Sequence, residues 1–165
     1  MELDLLVTGA TVVTPEGSRR TAVGIREGRI VLVAPEPELG AEPARAARET
    51  LDASGLHLLP GVIDTHTHAR DPSRNEREDF ATATAAAAAG GITTILEMPI
   101  SSPSVHDRAS LVARAAAVDP KAYVDFGLYA GAADDDLPGI AEAAAAGADR
   151  KSTRLNSSHV ALSRM

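Results

Sequence analysis

The sequence has no cysteine and no tryptophan. Lack of cysteine excludes disulfides and thiolate metal sites, and it is compatible with the cytoplasm, the expected location. Aromatic residues make up only 2% of the chain, so the core is expected to be aliphatic, built from Val, Ile, Leu and Ala. A basic surplus is also missing. The net charge is -7, which argues against a nucleic-acid partner. No apolar run approaches the ~20 residues of a membrane helix. The opening Met1-Glu2-Leu3-Asp4 lacks the basic start of a signal peptide, so no membrane partner is expected either.

What is present divides into two kinds of pattern over 165 residues. Residues 1–59 read as a small antiparallel β module. Leu3 to Thr14 is rich in β-branched residues and broken at Gly9. Pro15-Glu16-Gly17 and Glu27-Gly28-Arg29 mark turns on either side of a strand over Thr21 to Arg26. Ile30 to Ala34 ends at Pro35, and further strand pieces fall at Glu49 to Asp52 and Leu56 to Leu59. Glu36 to Arg48 reads as a surface connection.

From residue 60 the period changes. Val62 opens a strand. A helix is predicted over Asn75 to Ala89, with Glu76, Glu78 and Asp79 in its first turn and Gly90-Gly91 at its end. Ile92 to Pro99 reads as a buried strand. Val105 to Val118 reads as a helix with Ala109, Val112, Ala113 and Ala116 on one face. Tyr123 to Tyr129 is the next strand and Leu137 to Ala146 the next helix. This order predicts α/β architecture with a parallel sheet and three β/α units over residues 60–148. A closed eight-fold barrel needs about 250 residues, so the chain is expected to hold only the first part of one.

The chemistry concentrates in Leu59-Pro60-Gly61-Val62-Ile63-Asp64-Thr65-His66-Thr67-His68-Ala69-Arg70. Residues two apart on a strand share a face, which aligns Asp64, His66 and His68. Two imidazoles converging from one strand end can hold one metal ion. Asp64 is expected to orient a histidine rather than bind the metal. The planar guanidinium of Arg70 suits a substrate carboxylate.

Residues 149–165 break the pattern. Asp149-Arg150-Lys151-Ser152-Thr153-Arg154-Leu155-Asn156-Ser157-Ser158-His159 resembles the translation of a common short-read sequencing adapter. Ser163-Arg164-Met165 fits the adapter's continuation past a variable index at Val160 to Leu162. The natural sequence is therefore expected to end near Ala148, and Lys151 and His159 are assigned to no site.

Pro60-Gly61-Val62-Ile63-Asp64-Thr65-His66-Thr67-His68 resembles the metal-binding first strand of the amidohydrolase superfamily. Glu78-Asp79-Phe80-Ala81-Thr82-Ala83-Thr84, the alanine run, Gly90-Gly91-Ile92-Thr93-Thr94 and Glu97-Met98-Pro99 are similar to its cyclic-amide hydrolases: dihydroorotases, allantoinases and hydantoinases. The resemblance covers about Leu3 to Ala148. It implies a truncated (β/α)8 barrel preceded by part of a small β-sandwich domain. It also implies a site for two divalent ions, usually zinc, with His66 and His68 as ligands of the more buried one. Water activated there would open a small cyclic amide or ureide, and homo-oligomers are common in the family. Arg70 is similar to a dihydroorotase residue, Ile100 stands where dihydroorotases carry Asn, and Asp79 to Thr84 looks closer to allantoinases, so the substrate stays open. No catalytic acid or base is assigned. The resemblance places that aspartate, a bridging lysine and two later histidines beyond the truncation, so the chain alone is expected to be inactive and poorly soluble. His57 and His106 read as structural or surface residues, and Lys121 as lying at the wrong end of its strand for a ligand. The alternatives are a hydantoinase or dihydropyrimidinase, or a non-catalytic scaffold of the same fold.

Overall fold

The computed structural model describes residues 2–36, 46–72, 77–132, 138, 141–142, 145–146, 152–154 and 157–163. The chain divides into two units, Met1–Pro60 and Gly61–Met165.

The first unit is a six-stranded sheet: β1 (Leu3–Thr8), β2 (Thr11–Thr14), β3 (Gly17–Arg26), β4 (Arg29–Pro35), β5 (Ala47–Asp52) and β6 (His57–Leu58). β3 is its pivot. Residues Gly17 to Arg20 pair with β2, and the rest of the strand pairs with β1 on one side and β4 on the other. Glu27 and Gly28 both have positive φ, 52° and 70°, as a two-residue primed hairpin turn requires. The module is mixed rather than antiparallel, because β1–β5 and β2–β6 run parallel. Each of those pairs is joined by a long excursion instead of a hairpin, a topology that strand patterns alone do not reveal. Two small aliphatic clusters form around Val7, Ala10 and Val23 and around Leu3, Leu6 and Ala22.

The second unit carries β7 (Val62–Thr67), α1 (Phe80–Ala89), β8 (Ile92–Glu97), α2 (Arg108–Val118), a short 3-10 turn at Asp119–Lys121 and β9 (Asp125–Ala132). β7, β8 and β9 are mutually parallel, as two successive β/α crossovers demand. The predicted third helix lies mostly outside the described residues. Within it, Ala146 N–H donates to Glu142 O at 3.0 Å, an i to i−4 bond. β10 (Ser152–Arg154) and β11 (Ser157–Ser163) follow, and β11 lies antiparallel against β9.

Three further expectations are corrected by the second unit. Helix α1 starts at Phe80, so Glu78 and Asp79 precede it. Asp79 is the N-cap, with extended backbone, a side chain that accepts the Thr82 N–H at 2.7 Å, and a reciprocal bond from its own N–H to Thr82 Oγ1. The core is not purely aliphatic. Phe80 and Phe126, the only two phenylalanines, meet edge to face at 5.2 Å in its centre. Finally, Ala109, Val112, Ala113 and Ala116 are exposed, and helix α2 buries Leu111, Arg114 and Val118 instead. A charged residue occupies the inward stripe, which a search for apolar spacing passes over.

Gly61 admits the chain into β7 where a Cβ would collide with the side chain of Thr93. Beyond it, β7 is the edge of its sheet, with Val62 and Ile63 54% and 60% exposed although consecutive residues face opposite sides. Such an edge invites strand pairing with another chain. Ile63→Lys, measured by sedimentation velocity, is expected to weaken self-association several-fold with little change in circular dichroism. Unaltered association would show that this edge is not the contact.

Candidate metal centre

The site forms where β7 ends. The pairing of β7 with β8 shifts register between Asp64 and Thr67, so the strand bulges at the first histidine. A bulge strips a backbone group of its ladder partner and re-aims the side chain beside it. The Asp64 carboxylate accepts the His66 N–H at 3.0 Å and so supplies the missing partner. It serves the backbone of His66, not its ring. Thr67 closes the bulge, with its carbonyl accepting the Met98 N–H at 2.8 Å.

His66 Nε2 and His68 Nε2 then lie 3.2 Å apart, with ring centroids 5.0 Å apart and planes at 75°. Two nitrogens each about 2.0–2.1 Å from one tetrahedral ion would stand roughly 3.3 Å from each other. The residues therefore fit a shared divalent ion. Among the described residues no cluster of three or more His, Cys, Asp or Glu side chains could complete a coordination shell. The pair by itself offers two of the four donors that a tetrahedral ion takes.

The turn after His68 is pinned from below. Ala69 is fully buried. Arg70 has φ of 57°, the left-handed region that a side chain of its size seldom occupies. Its N–H donates to Glu97 Oε1 at 3.1 Å, and both Glu97 oxygens accept from Arg114 Nη2, at 2.8 and 2.6 Å. Glu97 and Arg114 are both buried, and Arg114 also packs over the Phe80 ring at 5.9 Å. Burial pushes the Glu97 carboxyl up. The Arg114 guanidinium and the Arg70 N–H pull it down, Asp71 pushes it up further, and the net position is above the usual range. The next residue, Asp71, is fully buried. Its Oδ2 accepts the Phe80 N–H at 3.1 Å and the Lys121 ammonium at 2.7 Å. Burial raises this carboxyl too, but Lys121, the Phe80 N–H and the more distant Arg114 outweigh burial and hold it below the usual range.

Lys121 thus reaches the turn that follows β7, farther along the unit than its place before β9 suggests. His57 sits in β6 of the first unit, exposed, paired with Thr11. His106 is exposed one residue before Asp107, which is the actual cap of helix α2. The residues missed in the sequence are Glu97, Arg114 and Asp71. The available signal was a lone carboxylate ending an apolar strand, and an arginine sharing the i, i+3, i+7 stripe of Leu111 and Val118.

A sequence model of the Amidohydrolase family matches residues 57–163, past the boundary expected at Ala148. An allantoinase of Deinococcus radiodurans is 46% identical over 146 residues, covering 86% of this chain and 31% of that protein. An allantoinase of Streptomyces avermitilis is 40% identical over 137 residues, covering 82% and 30%. Among solved structures, the L-hydantoinase (dihydropyrimidinase) from Arthrobacter aurescens superposes with a TM-score of 0.76 at 28% identity, covering 88% of this chain and 31% of that one. The chain spans about a third of the length of these relatives.

Asp71→Asn keeps the shape but removes the charge facing Lys121, Arg114 and Glu97. Urea unfolding at pH 7 is expected to show a loss of about 1.5–3 kcal/mol, the worth of a hydrogen bond to a charged group. The folded carboxyl titrates below its ordinary value, so its contribution is present above about pH 4 and fades as pH falls further. The gap between native and variant should therefore shrink toward pH 3. A gap independent of pH would mean that the charge is not its source.

Proposed function

The chain belongs to the amidohydrolase family, and from that premise we propose that the whole protein is a metal-dependent hydrolase of cyclic amides, with allantoin as substrate. Family members are generally metal-dependent. The observation that carries the reading is the 3.2 Å convergence of the two Nε2 atoms of His66 and His68. The likeness to allantoinases along most of this chain supports the choice of substrate.

His66 and His68 would hold one of two divalent ions, zinc being the first candidate. A divalent ion there supplies Lewis acidity, acidifying water toward a pKa of about 7 and polarising a ring carbonyl. Asp64 fixes the backbone of the first histidine. Arg70, leaving the strand end in its left-handed conformation, offers a planar donor fork to a carbonyl or carboxylate of the substrate. In the overall reaction an oxygen from water bonds to the ring carbonyl carbon, the ring C–N bond breaks, and the departing nitrogen takes a proton. The group that delivers this proton, and the remaining ligands, are assigned to the part of the relatives' length that this chain does not span, so the chain alone is expected to be inactive. The β11 strand, antiparallel where a β/α unit delivers a parallel one, supports reading the residues after Ala148 as foreign to the barrel.

A second reading is a hydantoinase, favoured by the superposition on the Arthrobacter enzyme. The experiment is turnover of allantoin, hydantoin and dihydroorotate by the product of the whole gene, with its metal content measured. Allantoin opening is expected, with His66→Ala and His68→Ala each lowering kcat/KM by at least about 100-fold along with bound metal. Turnover of hydantoin alone would shift the substrate to the second reading. A fully metallated protein that opens none of the three would overturn the assignment.

A further inference from the structure

The buried pair of Glu97 and Arg114 stands at the end of β8 and reaches the turn that follows the two histidines through the Arg70 N–H. We propose that Glu97, held by Arg114, is a positioning residue that presets the His68–Arg70 turn for metal binding. The inference rests on the reading that His66 and His68 hold a metal.

Three observations carry it. Glu97 spends one of its two oxygens on the backbone of Arg70 instead of giving both solely to the guanidinium, so the carboxylate joins helix α2 to the turn. Arg70 sits at φ of 57°, a conformation that persists in a non-glycine residue when its surroundings impose it. His68 is only two residues upstream, so a change in the Arg70 backbone propagates through Ala69, whose complete burial allows no slack. Arg114 in turn has one place to go. Its side chain is 4% exposed, it is packed over Phe80, and among the described residues its only carboxylate partner is Glu97. Helix α2 thereby sets where the carboxylate stands, and the carboxylate sets the turn. The expected consequence is a pair of imidazoles already converged before an ion arrives. Without the brace the turn would relax, the two nitrogens would separate, and part of the binding energy would go into bringing them together.

A single Glu97→Gln change leaves the guanidinium buried without its charge partner and is expected to destabilise the fold strongly. The informative variant is therefore Glu97→Leu with Arg114→Met, which removes both buried charges together and is expected to melt close to the native chain. On the product of the whole gene, zinc affinity is measured by competition with a chromophoric chelator, His66→Ala serves as the control that should lose binding, and exchange of the Arg70 amide is followed by NMR. The double variant is expected to bind zinc about 10- to 100-fold more weakly, the usual effect of losing a group that orients a ligand. Its Arg70 amide should exchange much faster, while the β8 amides keep their protection. A purely structural role would restore zinc affinity along with stability, so an unchanged affinity in the stable double variant overturns the inference while leaving the metal reading intact. Zinc binding by the whole-gene product that survives His66→Ala, or no binding at all by that product, would overturn the metal reading and the inference with it.

Discussion

The carboxylate of Glu97 answers to three elements at once: the end of β8 that carries it, the guanidinium of helix α2, and the N–H of a turn after β7. A buried ion pair of this kind adds little net stability, because desolvation of both charges offsets most of their attraction. Its value lies in being intolerant of alternatives. A buried arginine with one carboxylate partner cannot shift by a turn of helix without leaving a charge bare, so the pair fixes the register of helix α2 over β8. The fit of Leu111 and Val118 into the core, and of Arg114 over the Phe80 ring, depends on that register.

Much of this fold was legible because its regular parts obey short-range rules. β-branched runs between glycine and proline punctuation gave the strands of the first unit, and alternating strand and helix patterns gave the parallel sheet of the second. The histidine pair was legible because residues two apart on a strand share a face and because the motifs around it resemble a metal-binding strand. Long-range partners were not. Nothing local says that β5 returns to lie parallel beside β1, or that Asp71 and Lys121, fifty positions apart, will meet. Residue type misled in two places. Alanine suggested the inward face of helix α2, although alanine is as readily exposed on a helix as buried. The inward position went to an arginine whose burial makes sense only once Glu97 is opposite it. The start of helix α1 was placed too early because acidic residues favour both a first turn and the cap before it, and only the backbone of Asp79 distinguishes the two.

Three backbone N–H groups between Asp64 and Phe80 that leave regular pairing share one remedy, a carboxylate acceptor. The bulge frees the His66 N–H, and Asp64 accepts it. The left-handed residue turns the Arg70 N–H out of the ladder, and Glu97 accepts it. Helix α1 opens with an orphan N–H on Phe80, and Asp71 accepts it. A carboxylate is a costly acceptor to bury, and a serine or a water could satisfy one N–H. Three carboxylates nonetheless serve this one short stretch, two from within it and Glu97 from β8. Two of them are neutralised beneath the turn, Glu97 by Arg114 and Asp71 by Lys121, while Asp64 stays at the solvent-facing end beside the histidines. Arg114 and Lys121 each fix one of the two buried carboxylates from a second element, so the acceptors of the Arg70 and Phe80 N–H groups cannot shift without breaking an ion pair. The backbone of the turn is thus held from helix α2 and from the segment before β9, not by the turn's own residues.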